Sequence, residues 1–280
     1  MTVVVGYAPE GRARAVLHLG GMLSRSGAGD LVLCAVVPFA WPPGPGRVDA
    51  EYRAHLDRVA NEALAQARER LPGAETVLRH ARSVPTGLLE VAAERSATVL
   101  VVGDTAGSVV SRLLHSAPLP VAMAPHGFRC RPDARVSRIT VAFGGATEAA
   151  VAAADVAARL RAPLRLASFA VRPRAPYTVA VGREADDAML AEWIDGIGAA
   201  AQAALGEIGR REAVPPGLDA VVGRGESWQE ALEDVEWEEG DVLVVGSSSS
   251  GPLARVFLGS RSAKIVRHAP VPVVVVPRRP

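Results

Sequence analysis

The amino-acid sequence predicts an α/β fold built twice: two five-stranded parallel sheets in tandem, each covered by helices on both faces. Three observations predict it. The 280 residues amount to about two domains of ordinary size, at roughly 100–200 residues each. Short apolar runs alternate with longer stretches of helical period, the pattern of strand–helix–strand units. The same apolar runs also recur, in the same order, in both halves of the chain.

The repeat is visible in three segments. Val3-Val4-Val5-Gly6-Tyr7 resembles Ile139-Thr140-Val141-Ala142-Phe143, Val99-Leu100-Val101-Val102-Gly103 returns as Val242-Leu243-Val244-Val245-Gly246, and Ala117-Pro118-Leu119-Pro120-Val121 returns as Ala269-Pro270-Val271-Pro272-Val273. A sequence duplication is the simplest cause. The boundary falls near Gly127–Arg135, where the chain turns polar and basic, and gives domains over 1–128 and 136–280.

In the first half, strands are expected at 3–7, 31–37, 76–81, 98–102 and 120–124, with helices at 11–26, 49–71, 86–95 and near 108–115. In the second, strands are expected at 138–143, 164–171, 219–222, 241–245 and 271–276, with helices at 147–160, 183–211, 227–235 and 260–267. The runs Val99–Val102 and Val273–Val276 are apolar at every position, as a strand buried on both faces should be. Right-handed crossovers make each sheet doubly wound. Ligands of such sheets bind beyond the C-terminal strand ends, where the strand order reverses. That singles out the loops after the first and fourth strands of each half.

Composition excludes several classes. With 31 basic and 30 acidic residues the formal net charge is +1, so no basic excess points to nucleic acid. Hydrophobic residues make up 49%, enough for a packed core in each half. No run approaches the ~18 apolar residues of a membrane span. The start, Met1-Thr2-Val3-Val4-Val5-Gly6, is a strand pattern without the basic region and cleavage site of a signal peptide. The chain is therefore expected in the cytoplasm. The cysteines, Cys34 and Cys130, are too far apart for metal spacing or a disulfide framework, and Cys34 reads as a small buried hydrophobe. None of the six histidines has a metal-type spacing to another His, Cys or acid. They are expected at the surface or at helix caps. The acidic run from Glu230 to Asp241 is expected to be the solvated end of a helix and its loop, with Ser227 as the N-cap and Trp228 as a packing anchor.

The chemistry concentrates after the fourth strand of the second half. Gly246-Ser247-Ser248-Ser249-Ser250-Gly251-Pro252 is followed by Leu253–Leu258, then Gly259-Ser260-Arg261-Ser262 opening the last helix. Small residues let backbone N–H groups approach an anion, and a helix start adds unpaired N–H groups and the positive end of its dipole. Gly246, Ser248, Ser249, Gly259, Ser260, Arg261 and Ser262 are the candidate phosphate contacts. The Lys-Ser/Thr pair of a P-loop is missing. A serine linker ending in an ordinary Ser260 cap fits the same residues.

At these residues the chain resembles the universal stress protein family, once per half and over nearly its whole length. Members that bind ATP carry a glycine, two residues, a second glycine, nine residues, then Gly-Ser or Gly-Thr. Gly246, Ser249, Gly259 and Ser260 hold those positions, with serine in place of the second glycine. Lys264–Val273 is similar to the family's ending. The resemblance implies Rossmann-like, flavodoxin-order, adenine nucleotide alpha hydrolase-like domains and a regulatory, non-catalytic role in the stress response. It implies ATP or a related phosphate ligand in the second domain only, and an unidentified protein partner. It also implies that the last strands, 121–124 and 273–276, are the contact edges of an intramolecular pseudo-dimer, with a homodimer as a further state, and that Phe169 sits near a base. Where nucleotide binders carry an acidic residue after the first strand, this chain has Gly144 and, in the first half, Ala8. A nucleotide-free scaffold and, more distantly, a slow ATPase are the alternatives.

The first half has lost its loop. Val99 and Val242 are 143 apart, but Ala117 and Ala269 are 152 apart, so nine residues are missing between them. Nine residues span up to about 30 Å extended. Asp104 also places a negative charge where phosphate would lie. This half is expected to be structural. Serine catalysis is disfavoured, because no Gly-x-Ser-x-Gly elbow occurs. The Pro38–Gly46 segment reads as a lid, a partner surface or a plain loop.

Overall fold

The computed structural model describes residues 1–8, 14–39, 47–103, 108–172, 183–246 and 260–277. The expectations for residues 40–46 and for Asp104, Ser248, Ser249 and Gly259 lie outside the described residues. The chain divides into two compact units. The first holds Met1–Arg135 with the segment from Pro272 onward; the second holds Val136–Gly246 with Ser260–Val271.

The first unit contains β1 (Thr2–Gly6), α1 (Arg14–Leu23, continued by a wider turn at Ser24–Ala28), β2 (Asp30–Pro38), α2 (Arg47–Arg70), β3 (Glu75–Ala81), α3 (Val84–Glu94), β4 (Ala97–Gly103), α4 (Ser108–Ser116) and β5 (Val121–Ala124). The second contains β6 (Arg138–Ala142), α5 (Thr147–Leu160), β7 (Leu164–Val171), α6 (Arg183–Ile208), β8 (Leu218–Gly225), α7 (Trp228–Glu233), β9 (Asp241–Gly246) and α8 (Ser260–His268). The last strand, β10 (Val273–Val276), belongs to the first unit.

The strands of the first unit run β3-β2-β1-β4-β5-β10. All pairs are parallel except β5–β10, in which Val273, Val274 and Val275 oppose Met123, Ala122 and Val121 antiparallel. In the second unit the order is β9-β6-β7-β8, all parallel. One expectation changes here. The strand order within a repeat is 3-2-1-4-5, not the flavodoxin order 2-1-3-4-5. Its reversal lies between the first and fourth strands, where the ligand loops are expected; flavodoxin order would have put it between the first and third. The last expected strand of the second half forms as β10, and its pairing with β5 joins the two edges, 121–124 and 273–276, that the family resemblance implies. Strand order depends on which strands share hydrogen bonds, which periodicity within a segment does not encode.

Burial follows position in the sheet. Val3, Val4 and Val5 of β1 and Leu100 and Val101 of β4 are fully buried, as helices cover both faces. The edge strand β3 has only Ala81 buried. The long helices α2 and α6 bury only their C-terminal halves, through Ala60, Ala63, Leu64 and Ala67 and through Ala201, Ala204, Leu205 and Ile208. Their N-terminal halves carry no buried residue among those described. Ser227 caps α7 as expected, its Oγ accepting from Glu230 N at 3.2 Å, and Ser83 caps α3 in the same way, accepting from Thr86 N at 3.4 Å.

The acidic run is only partly solvated, which corrects the sequence expectation. Asp241 is 1% exposed. It accepts from Arg138 Nε at 3.0 Å, from Arg138 Nη2 at 2.5 Å and from Glu238 N at 2.9 Å. Arg165, also buried, donates to Asp219 at 3.0 Å and to the Glu236 carbonyl at 2.9 Å. Two arginines at strand starts thus clasp the α7–β9 connection at the N-terminal end of the sheet. The first repeat makes the equivalent clasp without charge: Thr98 Oγ1 donates to the carbonyls of Thr2 and Ala28.

Candidate functional site

The β6 and β9 strands are hydrogen-bonded neighbours, so the loops leaving their C-terminal ends flank one crevice. Gly246 ends β9 and Ser260 begins α8. Ser262 Oγ lies 3.5 Å from the Gly246 carbonyl, at the outer limit of a hydrogen bond. A residue pair sixteen positions apart is thereby brought together at the strand end. Ser260 and Arg261 are exposed and Ser262 is half-buried. The first-turn N–H groups of α8 follow from this placement, since the first four donors of any helix lack intrahelical partners. Of the seven candidate contacts, Gly246, Ser260, Arg261 and Ser262 are at this end; Ser248, Ser249 and Gly259 fall outside the described residues.

The opposite wall comes from the loop after β6. Gly144 and Gly145 are exposed, and Gly145 has φ +95°, a left-handed backbone that favours glycine. A Cβ at either glycine would meet nothing within 4 Å, so the space beside them is open. α5 then starts after Ala146 with no side-chain cap. Ser168 Oγ donates to the Phe143 carbonyl at 3.1 Å, pinning the chain where it leaves β6. Gly246 itself is tight, as a Cβ there would lie 3.1 Å from Ala149 Cβ on α5. Phe169 is half-buried on β7, two residues beyond Ala167, the partner of the last β6 residue.

Behind the wall, Lys264 Nζ sits 5.9 Å from the centre of the Trp228 ring, tying α8 to α7. Trp228 is therefore a helix anchor, as expected, with a cation as its partner. In the first repeat the end of β4 is reached at Gly103, where a Cβ would lie 3.0 Å from Val16 Cγ1.

One histidine, His18, departs from the surface-or-cap expectation. His18 is half-buried and its Nδ1 accepts from Cys130 N at 3.4 Å, with Cys130 Sγ at 3.8 Å. Burial holds its pKa below the ordinary value, and Arg129, Arg25 and Arg70 push the same way against the Cys130 hydrogen bond. His80 is at the surface, as expected, and pairs there with Asp57 at 2.8 Å. These partners lie 112 and 23 residues away, beyond the reach of a spacing rule. Cys34 is fully buried and its thiol is pushed up to about 12 by desolvation. Among the described residues no three His, Cys, Asp or Glu side chains converge as a metal site requires, and no helix is long and apolar enough to cross a membrane.

A repeated 3-2-1-4 parallel sheet, with a crevice at the strand reversal framed by glycines and a helix start, defines a Rossmann-like tandem α/β protein. The profile described as the universal stress protein family matches residues 1–125 and again 136–277. The chain belongs to that family. Universal stress proteins of Mycobacterium tuberculosis and Mycobacterium bovis are each 36% identical to it over 296 aligned positions, covering 99% of this chain and all of theirs. The solved universal stress protein of Archaeoglobus fulgidus shares the fold, with TM-score 0.61, 16% identity and coverage of 99% of this chain and 96% of that one.

Proposed function

We propose that the chain is a non-catalytic regulatory module whose second repeat binds an adenine nucleotide, ATP or a related phosphate ligand, in the crevice between β6 and β9. The observation that carries this reading is the meeting of Gly246 with Ser262 at the start of α8, facing the open Gly144–Gly145 wall. The unpaired N–H groups of the first α8 turn and its dipole favour an anion there. Ser260 and Ser262 supply hydroxyls and Arg261 supplies charge. Ser248, Ser249 and Gly259 complete the set through the loop between β9 and α8. Ligand binding would order this face and so expose or hide a surface for a protein partner.

A nucleotide-free scaffold is the second reading, and Gly144 favours it: no side chain there can accept hydrogen bonds from a ribose. Isothermal titration of the full chain with ATP separates the two. Saturable heat that disappears when Gly246 is replaced by Val supports the ligand reading. No heat and no thermal shift at millimolar ATP leaves the scaffold. Steady release of inorganic phosphate that is lost on Ser260→Ala would overturn the non-catalytic assignment.

A further inference from the structure

The two repeats place a cation at the same point of their last helix and treat it differently. α4 and α8 are both nine residues long, so Arg112 and Lys264 each occupy the fifth position. Ser83 and Ser227 both cap the preceding helix, so Val84 and Trp228 each occupy its first position. In the second repeat the Trp228 ring covers the cation. In the first, Val84 has no ring to offer. There the space between α3 and α4 is an open groove of about 690 Å³. Pro85, Leu89 and Ala93 form its apolar wall, with the exposed Glu90 on the same helix, and the exposed Arg112 lies on the other side with His115.

The same chain carries an aromatic ring of the required kind. Trp193, on the N-terminal half of α6, is 43% exposed, although tryptophan is usually well buried. It is flanked by the exposed carboxylates Glu192 and Asp195, with Ile194 and Ile197 half-buried beside it. A tryptophan between two acids complements the α4 side of this groove, across from Glu90: the ring face attracts the Arg112 guanidinium and the acids attract its charge.

We infer that two copies of this chain associate by insertion of Trp193 of one copy into the α3–α4 groove of the other, where it covers Arg112 as Trp228 covers Lys264. The contact joins different surfaces of the two copies, so it either closes as a two-fold dimer in which the contact is made twice or, where it does not, extends into rings or chains. It uses none of the residues of the proposed ligand crevice and stands independently of the ligand reading.

The test is sedimentation equilibrium of the full chain without nucleotide, with far-UV circular dichroism to verify folding. Both key residues are exposed, so the variants should fold. Wild type is expected to self-associate, more weakly as salt rises. Trp193→Ala and Arg112→Glu should each weaken association by about tenfold or more, while Trp193→Phe should retain most of it. Combining Arg112→Glu with Glu192→Arg and Asp195→Arg should restore association lost by Arg112→Glu alone. A wild type that stays monomeric at ~1 mM, the weak end of specific binding, overturns the inference. So does association that Trp193→Ala leaves unchanged, since the copies would then meet elsewhere.

Discussion

Replacing Asp241 by Ala tests the charged clasp at the base of the second unit. The carboxylate is fully buried and the Arg138 side chain is 15% exposed. Three donors converge on the acid, two from Arg138 and one from the Glu238 backbone. Removing it leaves a guanidinium with little access to water and a backbone N–H without an acceptor. Breaking one side of a buried pair costs about 3–5 kcal/mol. The residual exposure of Arg138, and its second contact with the Glu236 carbonyl, argue for the lower end, ~3 kcal/mol. Replacing both partners with Leu should cost less than Asp241→Ala alone, because no unpaired charge remains. Trp193, Trp228 and Trp237 all lie in the second unit, so tryptophan fluorescence during urea unfolding reports chiefly on it. The expected result is a lower midpoint with unchanged slope. A loss below about 1 kcal/mol, the range of a surface pair, would refute the reasoning and place water at the clasp.

Three further outcomes follow. Gly246→Val must push against Ala149, 3.1 Å from the first added carbon, and should cost about 1–3 kcal/mol as an overpacked contact; an unchanged urea midpoint would show that α5 yields freely. Thiol titration of the folded chain at pH 8 should label Cys130 and spare Cys34, whose thiol is held near 12 by burial; fast reaction of two equivalents would contradict that burial. Because burial depresses the His18 pKa, the unfolded chain binds more protons below about 6.5. His18 therefore contributes full stability above that pH and loses it as pH falls toward its lowered folded value. A urea midpoint followed from pH 7 to 5 should fall less steeply in His18→Gln than in the wild type, and parallel profiles would exclude the effect.

Much of this architecture was legible in the residues. β7 and α5 occupy the expected ranges, and most other elements differ by a residue or two, because an apolar stripe every second or every 3.6 positions is a local signal. The duplication also located the candidate crevice, since the missing nine residues separate a repeat with a loop from one without. What escaped was non-local. Strand order and the contact between His18 and Cys130 depend on segments distant in sequence. Asp241 sat in a run of acids whose other members are largely solvated. Only its place at the first position of a central strand, opposite Arg138, set it apart, and that needs the strand register.

The placement of β10 has a consequence during synthesis. Its partner β5 emerges from the ribosome on the order of 150 residues earlier, a delay of roughly 8–30 s at 5–20 residues per second. Throughout that interval the nascent first unit carries an unsatisfied ladder of backbone groups along Val121–Ala124, whose side chains are all buried in the finished protein. Such an edge recruits any strand that passes, including the same edge on a neighbouring polysome. Premature termination anywhere in the second repeat would make that transient hazard permanent, so truncated chains should aggregate even though the first sheet is otherwise complete.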